Sequence, residues 1–290
     1  MTWAIVIIWA ATLVEMAFEA LKDGIGWLWR QLTGRPRKVE EVDGISAECV
    51  AVLTGPNLAK EVVQGYPAAS TVACRDEVTA QKLQDIFHTQ TFRCYTNTDV
   101  VGCELGGAFK NVIAIAAGMA DGLGFGDNTK ATVMTRGLAE MARFSVKFGA
   151  RPLTFLGLAG VGDLMATCAS PQSRNHSVGI ELGKGRKIED IIGSMNMVAE
   201  GVKSCKPIFE LGQEAGVWMP ITENVVKVCH EGCSVEGPHG STGADGSTGA
   251  GKRVPGLVGW GEGVEKTARW QRGHLSEPAM EPRSVGHGVL

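Results

Sequence analysis

Apolar positions change their spacing twice along the chain, and each change marks a boundary. Cys49 to Leu53 (CVAVL) is an unbroken apolar run of strand length that ends at Gly55-Pro56. Ala69 to Cys74 (ASTVAC) and Phe92 to Thr96 are two more runs of the same kind. Asn57, just past the Gly-Pro turn, stands where a helix N-cap is expected. Asp76 and Glu77 open a stretch in which Ala80, Leu83 and Phe87 share one helical face. Such alternation of strand and helix predicts an α/β sheet.

After Asn97 the period becomes helical. Val100 to Ala120 is apolar and rich in small residues (Gly106, Gly107, Ala108, Ala114, Ala116 and Ala117), which predicts a buried helix that other backbones approach closely. Met134, Leu138, Met141, Phe144 and Phe148 recur at steps of three and four and predict a second long helix, ended by Gly149. Further helices are expected over 175–184, 188–196, 200–215 and 221–231. Beyond Gly232 neither period survives in GPHGSTGADGSTGAGKRVPG, so residues 233–290 are expected to be a disordered Gly-rich tail. The domain expectation is therefore an atypical segment 1–48, an α/β part 49–97, an all-helical part 98–232 and the tail.

Within the first segment, Trp3 to Val14 (WAIVIIWAATLV) is an uncharged run of 12 residues. A membrane crossing needs about 20, and no basic residue precedes the run as a signal peptide would require. A buried strand or helix is expected there. The rival is a membrane anchor, favoured by Trp27, Trp29, Arg30 and Arg35 downstream.

Composition narrows the function classes. Of the 290 residues 44% are hydrophobic and 20% charged, which is ordinary for a globular protein, and the net charge of −3 offers no basic field to a nucleic acid. The eight cysteines (Cys49, Cys74, Cys94, Cys103, Cys168, Cys205, Cys229 and Cys233) form no C-x-x-C pair. Reduced thiols in a cytoplasmic setting, with no metal site, are expected.

No G-x-G-x-x-G occurs. Gly246 to Lys252 matches the spacing of a P-loop, but Arg253 follows where Ser or Thr is needed, and no strand precedes it. Three other groups carry chemistry. Thr54 to Ala59 (TGPNLA) is a tight turn from strand to helix, a place where backbone N–H groups can meet an anion, although many α/β loops look alike. Lys110 sits in the apolar stretch ELGGAFKNVIAIAAG beside Asn111, so it either snorkels to water or is held in a site. Gly160 to Asp163 is followed by Ser173-Arg174-Asn175, where Pro171 and Ser173 suggest a turn presenting Arg174 and Asn175 at a helix start. The plain alternative is a capped helix with a solvated arginine.

Taken in order, GPNLAKE, ELGGAFKNVIAIAAG, FLGLAGVGDLMATCASPQSRNHSVG, VAEGVKS and MPITENV resemble bacterial NAD(P)-dependent glycerol-3-phosphate dehydrogenase, over about residues 49–232. The resemblance implies part of a Rossmann-type dinucleotide-binding domain followed by an all-α substrate domain. It implies reduction of dihydroxyacetone phosphate to sn-glycerol 3-phosphate with NAD or NADP as cofactor, in glycerophospholipid synthesis. Lys110 would be the catalytic acid/base. Gly55, Asn57, Lys110, Asp163, Ser173, Arg174 and Asn175 would contact substrate, and Ala59, Arg174, Val198 and Glu200 the cofactor. A homodimer fits the same resemblance. Nothing before Cys49 reads as that family's Gly-rich half, and the tail is unlike its C-terminus, so both ends read as truncated or shifted in frame. The rival function is an impaired remnant that binds a phosphorylated ligand or pairs with an intact homologue.

Overall fold

The computed structural model describes residues 7–9, 50–195, 199–235 and 253–254. Four strands form one sheet: β1 (Ile7–Trp9), β2 (Ala51–Thr54), β3 (Ala68–Cys74) and β4 (Phe92–Asn97), in that spatial order. The two outer pairings are parallel, and β2 runs antiparallel to β3. β1 lies inside the Trp3–Val14 run, where Ile7 to Trp9 pair with Ala51 to Leu53. The rest of that run lies outside the described residues.

Between β2 and β3 runs a short helix, α1 (Ala59–Val63), and between β3 and β4 a longer one, α2 (Glu77–Phe87). Ala51, Leu53, Val72, Cys74, Ala80, Leu83 and Cys94 make one apolar cluster against which Phe87 and Phe92 pack. Asp76 caps α2 by accepting from Thr79 N at 2.8 Å, as the sequence predicts. Asn57 does not cap α1. Leu58 occupies that position without a side-chain bond, and the Asn57 amide donates instead to Ser70 Oγ on β3 at 2.9 Å.

The regular structure described from Val100 to His230 is helical: α3 (Val100–Gly122), α4 (Asp127–Lys147), a 3₁₀ turn (Pro152–Leu156), a π turn (Leu158–Gly162), α5 (Asp163–Ala169), α6 (Arg174–Gly183), α7 (Ile188–Gly193), α8 (Glu200–Glu214) and α9 (Pro220–His230). α3 is long and apolar enough to cross a membrane, yet 94% of its apolar window is buried among the other helices. It is the core of the helical part. Ser234–Val235 (β5) and Arg253–Val254 (β6) pair in parallel, and the remainder of the 233–290 tail lies outside the described residues.

Glycines set the closest packing. A Cβ on Gly118 of α3 would sit 2.1 Å from His176 O, and one on Gly179 of α6 would sit 2.1 Å from Ile115 O. Gly122 and Gly183 repeat the contact one turn on, so the two backbones touch along two turns. Small residues were expected on α3, but the partner positions on α6 are invisible to an apolar period. The same holds for α4. Its buried ridge is Val133, Gly137, Glu140, Met141 and Phe144, while Met134, Leu138 and Phe148 are only half-buried. Gly137 brings α4 against Ile113, where a Cβ would lie 2.4 Å from Cγ2.

Glu140 is 1% exposed and belongs to another helix's start. Its carboxylate accepts from Ile221 N (2.8 Å), Thr222 N (3.1 Å) and Thr222 Oγ1 (3.0 Å), supplying α9 with the cap that Met219 lacks. Burial pushes this carboxyl up to about 7, against the three hydrogen bonds and the nearby Arg143 charge, which favour the ionised form.

Two outcomes follow from this packing. Gly179→Val forces a side chain into a backbone contact and should cost about 3 kcal/mol or more in urea unfolding. Because folding raises the Glu140 pKa, the folded state binds its proton more tightly than the unfolded state does. This group's contribution to stability is therefore complete below the ordinary carboxyl value near 4.5 and falls as the pH rises to about 7. Glu140→Gln should flatten that part of the stability–pH curve in parallel urea titrations.

Candidate active site

The end of β2, the middle of α3 and the starts of α5, α6 and α8 surround a cleft of about 180 Å³. It is lined by all the residues expected to contact substrate, namely Gly55, Asn57, Lys110, Asp163, Ser173, Arg174 and Asn175, and by Ala59 and Glu200. Residues drawn from stretches more than a hundred positions apart thus converge on one place. Val198 lies outside the described residues.

Gly55 makes the turn out of β2. Its φ of 136° suits glycine, and a Cβ there would lie 3.2 Å from Ser70 Cα on the neighbouring strand. This lets the chain leave the sheet and pass directly over the cleft.

Lys110 does not snorkel. Its Nζ donates to Asp163 Oδ2 at 2.6 Å, and the two side chains are 12% and 4% exposed. Thr54 Oγ1, from the last residue of β2, donates to the same oxygen at 3.3 Å. Thr167, one turn along α5, donates to the Asp163 carbonyl at 2.7 Å. The buried carboxylate is therefore bound from the sheet and from α3, and its own helix turn is secured by Thr167. That is what a buried charge requires.

A second network runs from α3 to α6 and α8. Asn111 Nδ2 donates to Glu200 Oε2 at 3.3 Å, Asn175 Nδ2 donates to Asn111 Oδ1 at 3.0 Å, and Gly201 N donates to Asn175 Oδ1 at 2.8 Å. Burial raises the Glu200 pKa, while the charges of Arg174 and Lys110 and the Asn111 bond oppose the rise. Ser173 caps α6 by accepting from His176 N at 3.3 Å, which leaves its hydroxyl hydrogen to donate. Asn175 has spent its oxygen and one N–H within the network and keeps one N–H for a ligand. Arg174 stands half-buried at the first turn of α6.

Thr54, Asn111 and Thr167, polar side chains of this region, were not singled out from the sequence as site residues. Each leaves a faint local signal. Thr54 precedes the Gly-Pro turn, Asn111 follows the isolated lysine, and Thr167 is four residues past Asp163 on the same helix face. Among the described residues no group of His, Cys, Asp and Glu is arranged to hold a metal ion.

Comparison with known proteins places the chain in a family. A family model described as NAD-dependent glycerol-3-phosphate dehydrogenase C-terminus matches residues 99–238, and the corresponding N-terminus model matches residues 37–80. The match thus reaches further than 49–232 at both ends. Glycerol-3-phosphate dehydrogenase (NAD(P)+) of Streptomyces griseus is 57% identical over 196 residues, covering 68% of this chain and 58% of that protein. The enzyme of the same name from Streptomyces coelicolor is 57% identical over 205 residues, covering 69% of this chain and 61% of that one. The crystal structure of glycerol-3-phosphate dehydrogenase from Coxiella burnetii superposes with a TM-score of 0.62 at 39% identity, over 64% of this chain and 57% of that chain. The chain spans about 60% of the length of the two Streptomyces relatives. A Rossmann-like fragment followed by a helical domain is the architecture this chain shares with that structure. Over residues 37–80 and 99–238 the chain belongs to the NAD-dependent glycerol-3-phosphate dehydrogenase family.

Proposed function

We propose that this cleft reduces dihydroxyacetone phosphate to sn-glycerol 3-phosphate, and runs the reverse oxidation, with NAD or NADP, in a cytoplasmic setting that serves glycerophospholipid synthesis. The observation that carries the reading is Lys110, held at 2.6 Å by a buried Asp163 and facing the first turn of α6.

Arrival of a hydride at the substrate carbonyl carbon places negative charge on the oxygen. The Lys110 ammonium stabilises that charge and then transfers a proton to the oxygen, and in the reverse direction the neutral amine takes the hydroxyl proton. Asp163 keeps the side chain directed into the cleft through both states. Arg174 provides a planar pair of donors suited to a phosphate, and Ser173 and Asn175 add one neutral donor each. Gly55 and Asn57 close the opposite side.

The donor set also fits a dinucleotide. Arg174 suits its phosphates, the Glu200 carboxylate suits an amide or ribose hydroxyl donor, and Ala59 leaves room for close approach. The nicotinamide, when bound, supplies or accepts the hydride.

Consumption of NADH or NADPH on adding dihydroxyacetone phosphate tests the reading. Lys110→Ala should lower kcat about 10²-fold or more, and Lys110→Arg should not restore it, because a guanidinium does not release its proton near neutral pH. Arg174→Ala should weaken glycerol 3-phosphate binding about tenfold or more in calorimetry, since charged hydrogen bonds contribute about 1.5–3 kcal/mol each. Substrate binding that depends on Arg174, without turnover by the unaltered chain, would favour the remnant over the enzyme.

A further inference from the structure

The first turn of α6 carries a polar side chain that does not line the cleft. His176 is 5% exposed, and its Nε2 lies 2.8 Å from Asp121 Oδ2 in the last turn of α3. Lys130 of α4 donates to the same oxygen at 2.9 Å. A carboxylate only accepts, so Nε2 carries the hydrogen of its bond. The other ring nitrogen, Nδ1, is buried and has no hydrogen-bond partner among the described residues.

Two of these features are unfavourable by themselves. A carboxylate in the last turn of a helix meets the negative end of the dipole, and a buried polar atom without a partner is costly. A leucine in place of His176 would avoid the second cost, but it could not supply the Nε2 bond. The value of that bond follows from how α6 meets α3. Gly118 and Gly122 lie against Gly179 and Gly183 backbone to backbone. Helix pairs ordinarily take their register from side-chain ridges set into grooves, and glycines present no ridge there. Polar bonds supply register instead: Asn175 to Asn111 at 3.0 Å, and His176 to Asp121 further along α3.

We propose that His176 is a positioning residue whose bond to Asp121 pins α6 on α3 and so holds Ser173, Arg174 and Asn175 at a fixed place beside Lys110. Lys130 braces the same carboxylate from a third helix. The backbone of His176 also takes part, since its N–H donates to Ser173 Oγ and closes the turn that carries these donors. The pin itself is a property of the fold, and its effect on a phosphate-bearing substrate rests on the dehydrogenase reading.

Amide hydrogen exchange on the full chain, followed by NMR, reads the pin without any ligand. The residues to follow are 176 and 177, whose amides both bond to Ser173. His176→Leu should speed their exchange about tenfold, the scale of one hydrogen bond to a charged group, while amides of α9 stay unchanged. His176→Gln, whose amide can donate from nearly the same place, should restore protection to within about twofold. Asp121→Ala leaves the imidazole in place and is a second route to the same loss, and the double variant His176→Leu with Asp121→Ala should add nothing to either single change. In turnover of dihydroxyacetone phosphate, His176→Leu should raise KM about tenfold and leave kcat within about twofold, because Lys110 keeps Asp163. A chain that neither binds glycerol 3-phosphate nor turns over would sink the dehydrogenase reading alone, and the exchange rates would still decide the pin. Unchanged exchange at residues 176 and 177 in both His176→Leu and Asp121→Ala would overturn the proposal. So would a His176→Gln chain that behaves like His176→Leu, since the ring would then serve only to fill space.

Discussion

The ion pair between Lys110 and Asp163 is the contact through which the sheet and the helices share one site. An ammonium in the middle of the most buried helix is tolerated only with a counter-charge, and a buried carboxylate in turn needs donors. Thr54 answers that need from the end of β2, and Thr167 secures the turn of α5 from which the carboxylate projects. One charge on α3 therefore dictates the placement of a strand end and of α5. The cleft is the space left beside that arrangement.

The wall that carries Ser173, Arg174 and Asn175 depends on a different kind of contact. Gly118 and Gly122 against Gly179 and Gly183 let α6 lie directly on α3, backbone to backbone. This closeness lets Asn175 reach Asn111 at 3.0 Å and lets the N-terminus of α6 open beside Lys110. Larger residues at the crossing would separate the first turn of α6 from Lys110. Packing far from solvent thus controls a distance that matters at the cleft.

The strands and helices were largely legible in the sequence because period alone reveals which face is buried. Asp76, Ala80 and Leu83 behave as their spacing predicts, and a helix stands at each of the six helical stretches expected after Asn97. What period cannot reveal is a partner. Lys110 stands out as a charge in an apolar helix, but its counter-charge is 53 residues away and nothing local couples the two. Family resemblance, not spacing, connected them. Asn57 follows a good local rule but α1 starts one residue later, with Leu58 at its N-cap, and the Asn57 amide is held by Ser70 on the neighbouring strand instead. Gly137 and Glu140 fail for a related reason. A glycine and a glutamate add nothing to an apolar stripe, yet one admits a neighbouring helix and the other caps the start of α9.

That last arrangement has a consequence for the order in which the molecule is made. Met219 offers α9 no cap, so the beginning of that helix is defined by a carboxylate 81 residues earlier in the chain. An isolated helix of 11 residues is marginal in water, and closing a loop of this length carries an entropic cost that local structure cannot offset. The last described helix is conditional on α4 already being folded and docked. During synthesis α9 is then a late event, and its arrival reports that the middle of the chain is in place.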